Sequence, residues 1–362
     1  MKIISLFLFS LIIFFQPAFA QFNQIGAQLD GNSPNDNFGW SVAMDQSGKT
    51  IAVGAPLFDS DFGQVRVYHE FGGVWTQLGN DIDGTEIGQQ FGFSLSLSAD
   101  GKTLALGGLS GSPNTLGGHA RVYKLLGGQW VQQGATLLAD ANGDQFGFSL
   151  DLSGNGNRLV VGARNNNGNG SEAGHVRVFE LQNNAWVQLG DDLEGDMADD
   201  RLGTSVSINA DGTIIAASTP QNDAGGTNAG QVRVWQWQTD NWVQLGSDIL
   251  GFGPAELFGS SIALSDDGLS FVAAAPGHDH GNGFGSVRVY TFDNSSWTQV
   301  GNDMRGSSIT EAFGQAVGIN GDGDRVAIGT QSADDIATSS GRVDVFSLEN
   351  GAWTELYMPI TG

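Results

Sequence analysis

The sequence predicts an all-β chain folded as a six-bladed β-propeller of four-stranded antiparallel blades. Three observations predict it: one unit recurs with a period just above fifty residues, each copy holds four short strand-like runs, and no stretch carries a helical period. Trp75, Trp130, Trp186, Trp242, Trp297 and Trp353 mark the unit, with Phe22 in the same slot, at steps of 53, 55, 56, 56, 55 and 56 residues. A Phe-Gly pair keeps the same beat at Phe38-Gly39, Phe91-Gly92, Phe146-Gly147, Phe258-Gly259 and Phe313-Gly314, with Leu202-Gly203 in the fourth copy.

Residues 1–20 read as a signal peptide. Lys2 supplies the positive start, residues 3–15 an apolar stretch, and Ala18-Phe19-Ala20 a small-x-small cleavage site, so a mature chain is expected to begin at Gln21. The stretch is short for a membrane span, no later run approaches ~20 apolar residues, and no cysteine follows the cleavage site to carry a lipid. The expectation is a secreted, extracellular chain without membrane insertion.

Composition narrows the chemistry. Fifteen Lys and Arg stand against 39 Asp and Glu, a formal charge of −24. Such a surface repels nucleic acid and anionic membranes and attracts basic partners or divalent cations. The absence of cysteine excludes thiol catalysis and Cys-ligated zinc. A chain of this length can bury a core without disulfides.

Within a unit the strand-like runs are those at 91–97, 103–107, 120–124 and 130–133, rich in Val, Leu and aromatics and bounded by Gly, Asp, Asn and Ser. The turn between the first two is tight in every copy, as at Ala99-Asp100-Gly101 and Ala210-Asp211-Gly212, where Gly supplies a positive φ. The turn between the last two is equally short, as at Gly72-Gly73. Four strands so joined form a meander, one propeller blade. Its connections alternate between two ends, so the longer loops, such as 56–63, 164–174, 276–285, 30–37 and 194–201, all gather on one face. That face is where recognition is expected.

Domain limits follow: a propeller over 21–362, with repeats near 22–74, 75–129, 130–185, 186–241, 242–296 and 297–352, and a closing strand at 353–357. Six blades need 24 strands and 25 runs are present, counting both terminal ones. One terminal run is expected to pair across the junction of the chain ends, leaving no exposed edge. Seven blades would require one almost without strands.

Phe38-Gly39, Gly54-Ala55-Pro56 and then Gly63-Gln64-Val65-Arg66-Val67-Tyr68 resemble an FG-GAP repeat. That unit builds the propeller of integrin α-chains and of secreted bacterial proteins. The resemblance covers essentially all of 21–357; its second half is close at Ala274-Ala275-Pro276 and has drifted at Gly107-Gly108, Gly162-Ala163, Thr219-Pro220 and Gly329-Thr330. It implies binding and adhesion more often than catalysis. Calcium-binding members carry an Asp-x-Asp-x-Asp-Gly loop between strands one and two. Here a tight hairpin replaces it, and 320–324 is the nearest remnant.

Candidate sites divide into repeated and unique residues. Ser41, Ser94, Ser149, Ser205 and Ser261 recur without a base nearby and read as packing residues, with Ala316 in the sixth slot. Arg66, Arg121, Arg177, Arg233 and Arg288 are expected to lie opposite Gln77, Gln132, Gln188, Gln244 and Gln299 across the strand pair. His119 and His175 read as polar strand-edge residues. On the long-loop face, Asp59, Asp61, Asn165, Asn167, Asn222, Asp223, Asp334 and Asp335 form a candidate ligand surface. His278, Asp279 and His280 add metal-compatible donors to it. Asp140, Asn142 and Asp144 have the D-x-N-x-D start of a calcium loop without its closing glutamate, so calcium is a possible ligand and no other cofactor is expected.

The sequence therefore reads as a monomeric, non-catalytic binding or adhesion propeller whose partner is an extracellular protein or a surface glycan. Two alternatives stay open: a lectin with sugar pockets between blades, and an extracellular glycan hydrolase or lyase with acidic residues at the channel mouth.

Overall fold

The computed structural model describes residues 22–110, 116–277, 284–308, 312–333, 340–356 and 358–361. Among these, the chain is all-β apart from one four-residue helical turn, Phe58–Asp61. Six antiparallel sheets follow one another in sequence order. Blade 1 is Ser41–Met44, Thr50–Ala55, Gln64–Phe71 and Val74–Gln77, and blade 2 is Ser94–Leu97, Thr103–Gly108, His119–Leu126 and Gln129–Gln132. Blade 3 is Phe146–Leu152, Arg158–Ala163, His175–Gln182 and Ala185–Gln188, and blade 4 is Val206–Ile208, Ile214–Thr219, Gln231–Gln238 and Asn241–Gln244. Blade 5 is Ile262–Leu264, Ser270–Ala275, Ser286–Asp293 and Ser296–Arg305, and blade 6 is Phe313–Ile319, Arg325–Thr330, Arg342–Glu349 and Ala352–Glu355. The first strand of each blade lines the axis.

The core lies between blades, not within them. Five buried apolar clusters are each shared by two successive blades, as where Ala105 and Val122 of blade 2 meet Leu150, Leu152 and Leu159 of blade 3. The Phe-Gly pair makes the junction. Phe91, Phe146, Leu202 and Phe258 each bridge to a glycine of the preceding blade: Gly63, Gly118, Gly174 and Gly230. A Cβ on any of these glycines would overlap the backbone of the inserted residue.

The recurring serines are fasteners. Ser41, Ser94 and Ser149 donate to the Gly92, Gly147 and Gly203 carbonyls of the next blade at 2.6, 2.7 and 2.8 Å, while Ser205 and Ser261 accept from Ile262 and Val317 N–H at 3.1 Å. Each anchor tryptophan donates its indole N–H to a carbonyl of the preceding repeat at 2.7–3.0 Å. At the tight-turn end, backbone bonds link blade to blade from Gln46 through Ala99, Gly154, Ala210 and Asp266 to Gly321.

The junction between blades 6 and 1 differs. Val42 and Met44 are 69% and 62% exposed, whereas their counterparts Leu150 and Leu152 are 7% and 5% exposed. Gly39 and Gly341 have no nearby atoms of the facing blade, and the nearest neighbour of Gly329 is its own blade's Ala316 at 3.6 Å. The ring therefore has one open seam. Of the terminal run, Ala352–Glu355 completes blade 6 by pairing with Arg342–Glu349. The amino-terminal run forms no strand, although Ile25 accepts the Trp75 indole N–H. Among the described residues the expected pairing across the chain ends is not made: Ala352–Glu355 and the short final strand Ile360–Thr361 both pair within blade 6.

One register expectation is corrected. The three-four turns are two-residue turns, which set Gln77 opposite Tyr68 and Gln188 opposite Phe179, not opposite arginine. Arginine and glutamine meet instead on a shared carboxylate: Arg177 and Gln188 both bond Asp192, and Arg288 and Gln299 both contact Asp303.

The open seam separates two equivalent glycines by their environment. Gly162→Ala, whose methyl would overlap the Gly203 carbonyl and Ser149 hydroxyl, should cost about 1–3 kcal/mol in urea unfolding. Gly329→Ala should be close to neutral. Equal losses at both positions would show that blade 1 packs on blade 6 in solution.

Candidate functional site

The long-loop end of the axis is built from three repeated slots. The residue before each Phe-Gly pair has a left-handed backbone in all six copies: Asn37, Gln90, Gln145, Arg201, Leu257 and Ala312, with φ of 50–60°. Such a conformation costs non-glycine residues of order 1 kcal/mol, and it recurs because a tight turn depends on it. The carbonyls of Asn37, Gln90, Gln145, Arg201 and Leu257 accept the N–H of the residue just after the pair. That turn holds Trp40, Phe93, Phe148, Thr204 and Ser260 at the axis, with Gln315 in the sixth place. The third slot follows the second strand and reads Pro56, Leu109, Arg164, Pro220, Pro276 and Gln331.

These slots are identical in backbone role and unlike in chemistry. Blades 1 to 3 present an aromatic staircase: Trp40 to Phe93 at 5.4 Å between ring centroids, and Phe93 to Phe148 at 5.3 Å. The Arg164 guanidinium lies 3.6 Å over the Phe148 ring. Trp40 and Phe93 of the staircase form one wall of a cleft of about 550 Å³ that enters the open seam. Opposite stand Gln315, Thr330, Gln331 and Arg342 of blade 6. The Thr330 hydroxyl is buried in this wall without a hydrogen-bond partner, and Arg342 is held by Asp344 at 2.9 Å. Among the described residues, none lining the cleft is a carboxylate or a histidine.

The residues singled out from sequence do not converge on this cleft. Asp59 and Asp61 sit on the left-handed turn of blade 1, and Asn165 and Asn167 on the blade 3 loop. Asn222 is buried and donates to Asp200, and Asp223 accepts the Asn228 N–H. His278, Asp279, His280, Asp334 and Asp335 lie outside the described residues.

The Asp140, Asn142 and Asp144 set is split apart. Asp144 is turned inward, accepting from Ala141 N–H and from the Asn166 amide at 3.0 and 3.1 Å. It occupies a slot where Asp36, Gln89, Asp200 and Glu256 close the same crossing turn in other blades. Asp140 turns instead toward His175 and Asp192, and these three bring ligand atoms within 4.8 Å of one another, close enough to hold a metal ion. Arg177 already bonds Asp140, and its Nη2 lies 2.9 Å from Asp192. Three ligand side chains fall short of the 6–8 oxygens calcium takes. As built, the cluster is an ion-pair network around Arg177. EDTA should accordingly leave Tm nearly unchanged, and a large fall on chelation would show that a metal displaces the guanidinium.

His119 and His175 are not edge residues. Both are buried at the blade junctions, His119 stacked on Phe91 at 5.8 Å with neither ring nitrogen bonded. Burial and the nearby Arg121 charge push the His119 pKa down to about 3. The unfolded chain then binds the extra proton between that value and the ordinary histidine value. Stability contributed above the unfolded pKa is lost as pH falls through this window, by up to about 1.4 kcal/mol per pH unit. Burial depresses the His175 pKa also. His119→Gln, the residue of the same slot in blades 1 and 4, should reduce the loss of stability between pH 6.5 and 4, as read by urea unfolding. An unchanged slope would show that His119 has access to water.

Sequence reasoning passed over one acid near the axis. On the first strands the slot two residues after the fastening serine reads Ala43, Ser96, Asp151, Ser207, Ala263 and Gly318. Asp151 alone is charged. It accepts from the Ser96 and Ser207 hydroxyls and from Leu152 and Ile208 N–H at 2.8–3.1 Å, tying blade 3 to blades 2 and 4. Burial pushes its pKa up, and these four donors pull it part of the way back. A comparison of repeat slots would have revealed it, as it would the staircase.

The FG-GAP repeat family matches at residues 25–68 and 130–179. The chain is an FG-GAP-like β-propeller. No curated protein matches it significantly. Solved structures do resemble this propeller. The periplasmic gluconolactonase of Pseudomonas aeruginosa superposes with a TM-score of 0.62 at 15% identity, over 92% of this chain and 87% of that one. A Bacteroides uniformis protein assigned as a 6-phosphogluconolactonase gives 0.61 at 13% identity, over 89% and 85%. A hypothetical selenium-binding protein of Sulfolobus tokodaii gives 0.58 at 12%, over 90% and 82%.

At these identities the likeness is one of fold. It nevertheless overturns the expectation of a non-catalytic adhesion module. That expectation rested on analogy with adhesive propellers, and the propellers this one superposes on include lactonases.

Proposed function

We propose that this FG-GAP-like propeller is a secreted hydrolase that opens a sugar-derived ring ester, a lactone, in the seam cleft. One observation carries the reading: the cleft pairs an aromatic wall with polar and cationic groups but contains no carboxylate pair among its described lining. Glycoside hydrolysis needs two carboxyl groups set about 5–9.5 Å apart, so the glycan-hydrolase alternative has no support here. A lactone asks for less. Water attacks an ester carbonyl far more readily than an acetal, and the enzyme must chiefly orient the ring and stabilise charge on the carbonyl oxygen.

Each wall suits one part of that task. The face of a sugar ring presents C–H groups that pack on Trp40 and Phe93. Gln315 and Gln331 supply hydrogen bonds to ring hydroxyls. The Arg342 guanidinium provides positive potential where the tetrahedral oxyanion develops. Water adds to the carbonyl carbon, the ring C–O bond breaks, and the ring oxygen leaves with a proton as the hydroxyl of the product acid. The lactonases among similar solved structures are consistent with this choice of substrate class.

The test is base uptake in a pH-stat with glucono-δ-lactone, corrected for spontaneous hydrolysis, beside a panel of nitrophenyl glycosides. Acceleration of lactone opening is expected, with no glycoside cleaved. Trp40→Ala, a change at a half-exposed side chain, should lower kcat/KM by about tenfold or more while Tm holds. Glycoside cleavage without lactone opening would overturn the reading, as would the absence of both.

A further inference from the structure

We infer that the channel mouth carries an oxyanion subsite, formed by Arg164 with Arg201 beside it, that takes the carboxylate or phosphate of an acidic sugar derivative. The inference rests on the reading of the mouth as a ligand site and names what that ligand bears.

Arg164 is the one arginine in its slot. The other blades place Pro56, Leu109, Pro220, Pro276 and Gln331 there, so the propeller repeat itself does not call for a cation. The side chain is nonetheless fixed. Its guanidinium lies 3.6 Å over the Phe148 ring, and its Nε donates to Gln145 Oε1 at 2.7 Å. That bond uses Nε alone. Among the described residues the Nη groups make no hydrogen bond, and the half-buried side chain holds them at the head of the aromatic staircase.

Arg201 stands in the slot of Gln145 one blade further on, tied to Glu172 through Nε at 3.0 Å. Burial first, and the Arg201 charge second, push the Arg164 pKa down to about 10. Two cations crowd this point although the whole chain carries −24. Glu172 bonds Arg201, and its charge also reaches Arg164. One carboxylate thus serves two cations; an anion bound at the Nη groups would add a second counter-charge, and a planar guanidinium offers a carboxylate or phosphate two parallel donors. From Arg164 the staircase descends through Phe148 and Phe93 to Trp40 and the cleft. The competing account is that Arg164 merely covers Phe148 through a cation–π contact.

Calorimetric titration separates the two without any turnover. The wild-type protein would be titrated at constant ionic strength with sodium gluconate, inorganic phosphate and the uncharged polyol sorbitol. Gluconate or phosphate should bind and sorbitol should not. Gluconate above phosphate would identify a carboxylate on a sugar chain, and the reverse order a phosphate group. Arg164→Gln should weaken anion binding about tenfold or more, and Arg164→Lys should restore part of it. Arg158→Gln, at a blade 3 arginine paired with Glu180, should leave it unchanged. If Arg164→Gln does not fold, a fall in wild-type affinity with added salt, read beside Arg164→Lys, decides instead. Equal binding of sorbitol, full anion affinity in a folded Arg164→Gln, or no anion binding at all would overturn the subsite. A protein that binds gluconate yet opens no lactone would keep this inference and lose the proposed reaction.

Discussion

The structure depends on one contact repeated from blade to blade: a phenylalanine, or Leu202 in the fourth copy, inserted beneath a glycine of its neighbour. Phe91, Phe146, Leu202, Phe258 and Phe313 are all but fully buried there. Because the cores lie between sheets, a single blade has nothing to bury its faces against, and stability must accrue junction by junction. The same contact explains the seam. Among the described residues Phe38 bridges to no glycine of blade 6, and Asn37, Gly39 and Trp40 beside it stay in solvent.

A rigid scaffold with one irregular junction is a natural place for chemistry. The left-handed turn before each Phe-Gly pair delivers a side chain to the axis whatever that side chain is. Repetition thus fixes six positions and leaves their identities free. Blades 1 to 3 use them for Trp40, Phe93 and Phe148, and blades 4 to 6 for Thr204, Ser260 and Gln315. An apolar half and a polar half face each other across the mouth, an arrangement suited to ligands with one greasy and one hydroxylated face.

The acidic surface had suggested cation binding on the loops. Much of that acid is structural. Asp144, Asp200 and Glu256 close crossing turns, and Asp192 and Asp303 bind arginine and glutamine within their blades. A carboxylate drawn into a turn by backbone N–H groups is no longer an available ligand, which is why spacing that imitates a calcium loop fails here.

The periodicity of Trp and Phe-Gly by itself determined the fold class, the blade count, the tight turns and the face that bears the long loops, because those features rest on local pattern: period two in strands, glycine where φ is positive, small side chains where blades meet. It also marked the serines as packing residues. Only the tertiary structure decided what required distances between segments far apart in sequence: the open seam, the pairing of Asp140 with Arg177, the burial of His119, and the meeting of Trp40 with Gln315 and Arg342. The physical reason is that a repeat states how neighbours dock, while the contact between first and last depends on the accumulated angle of every junction between them.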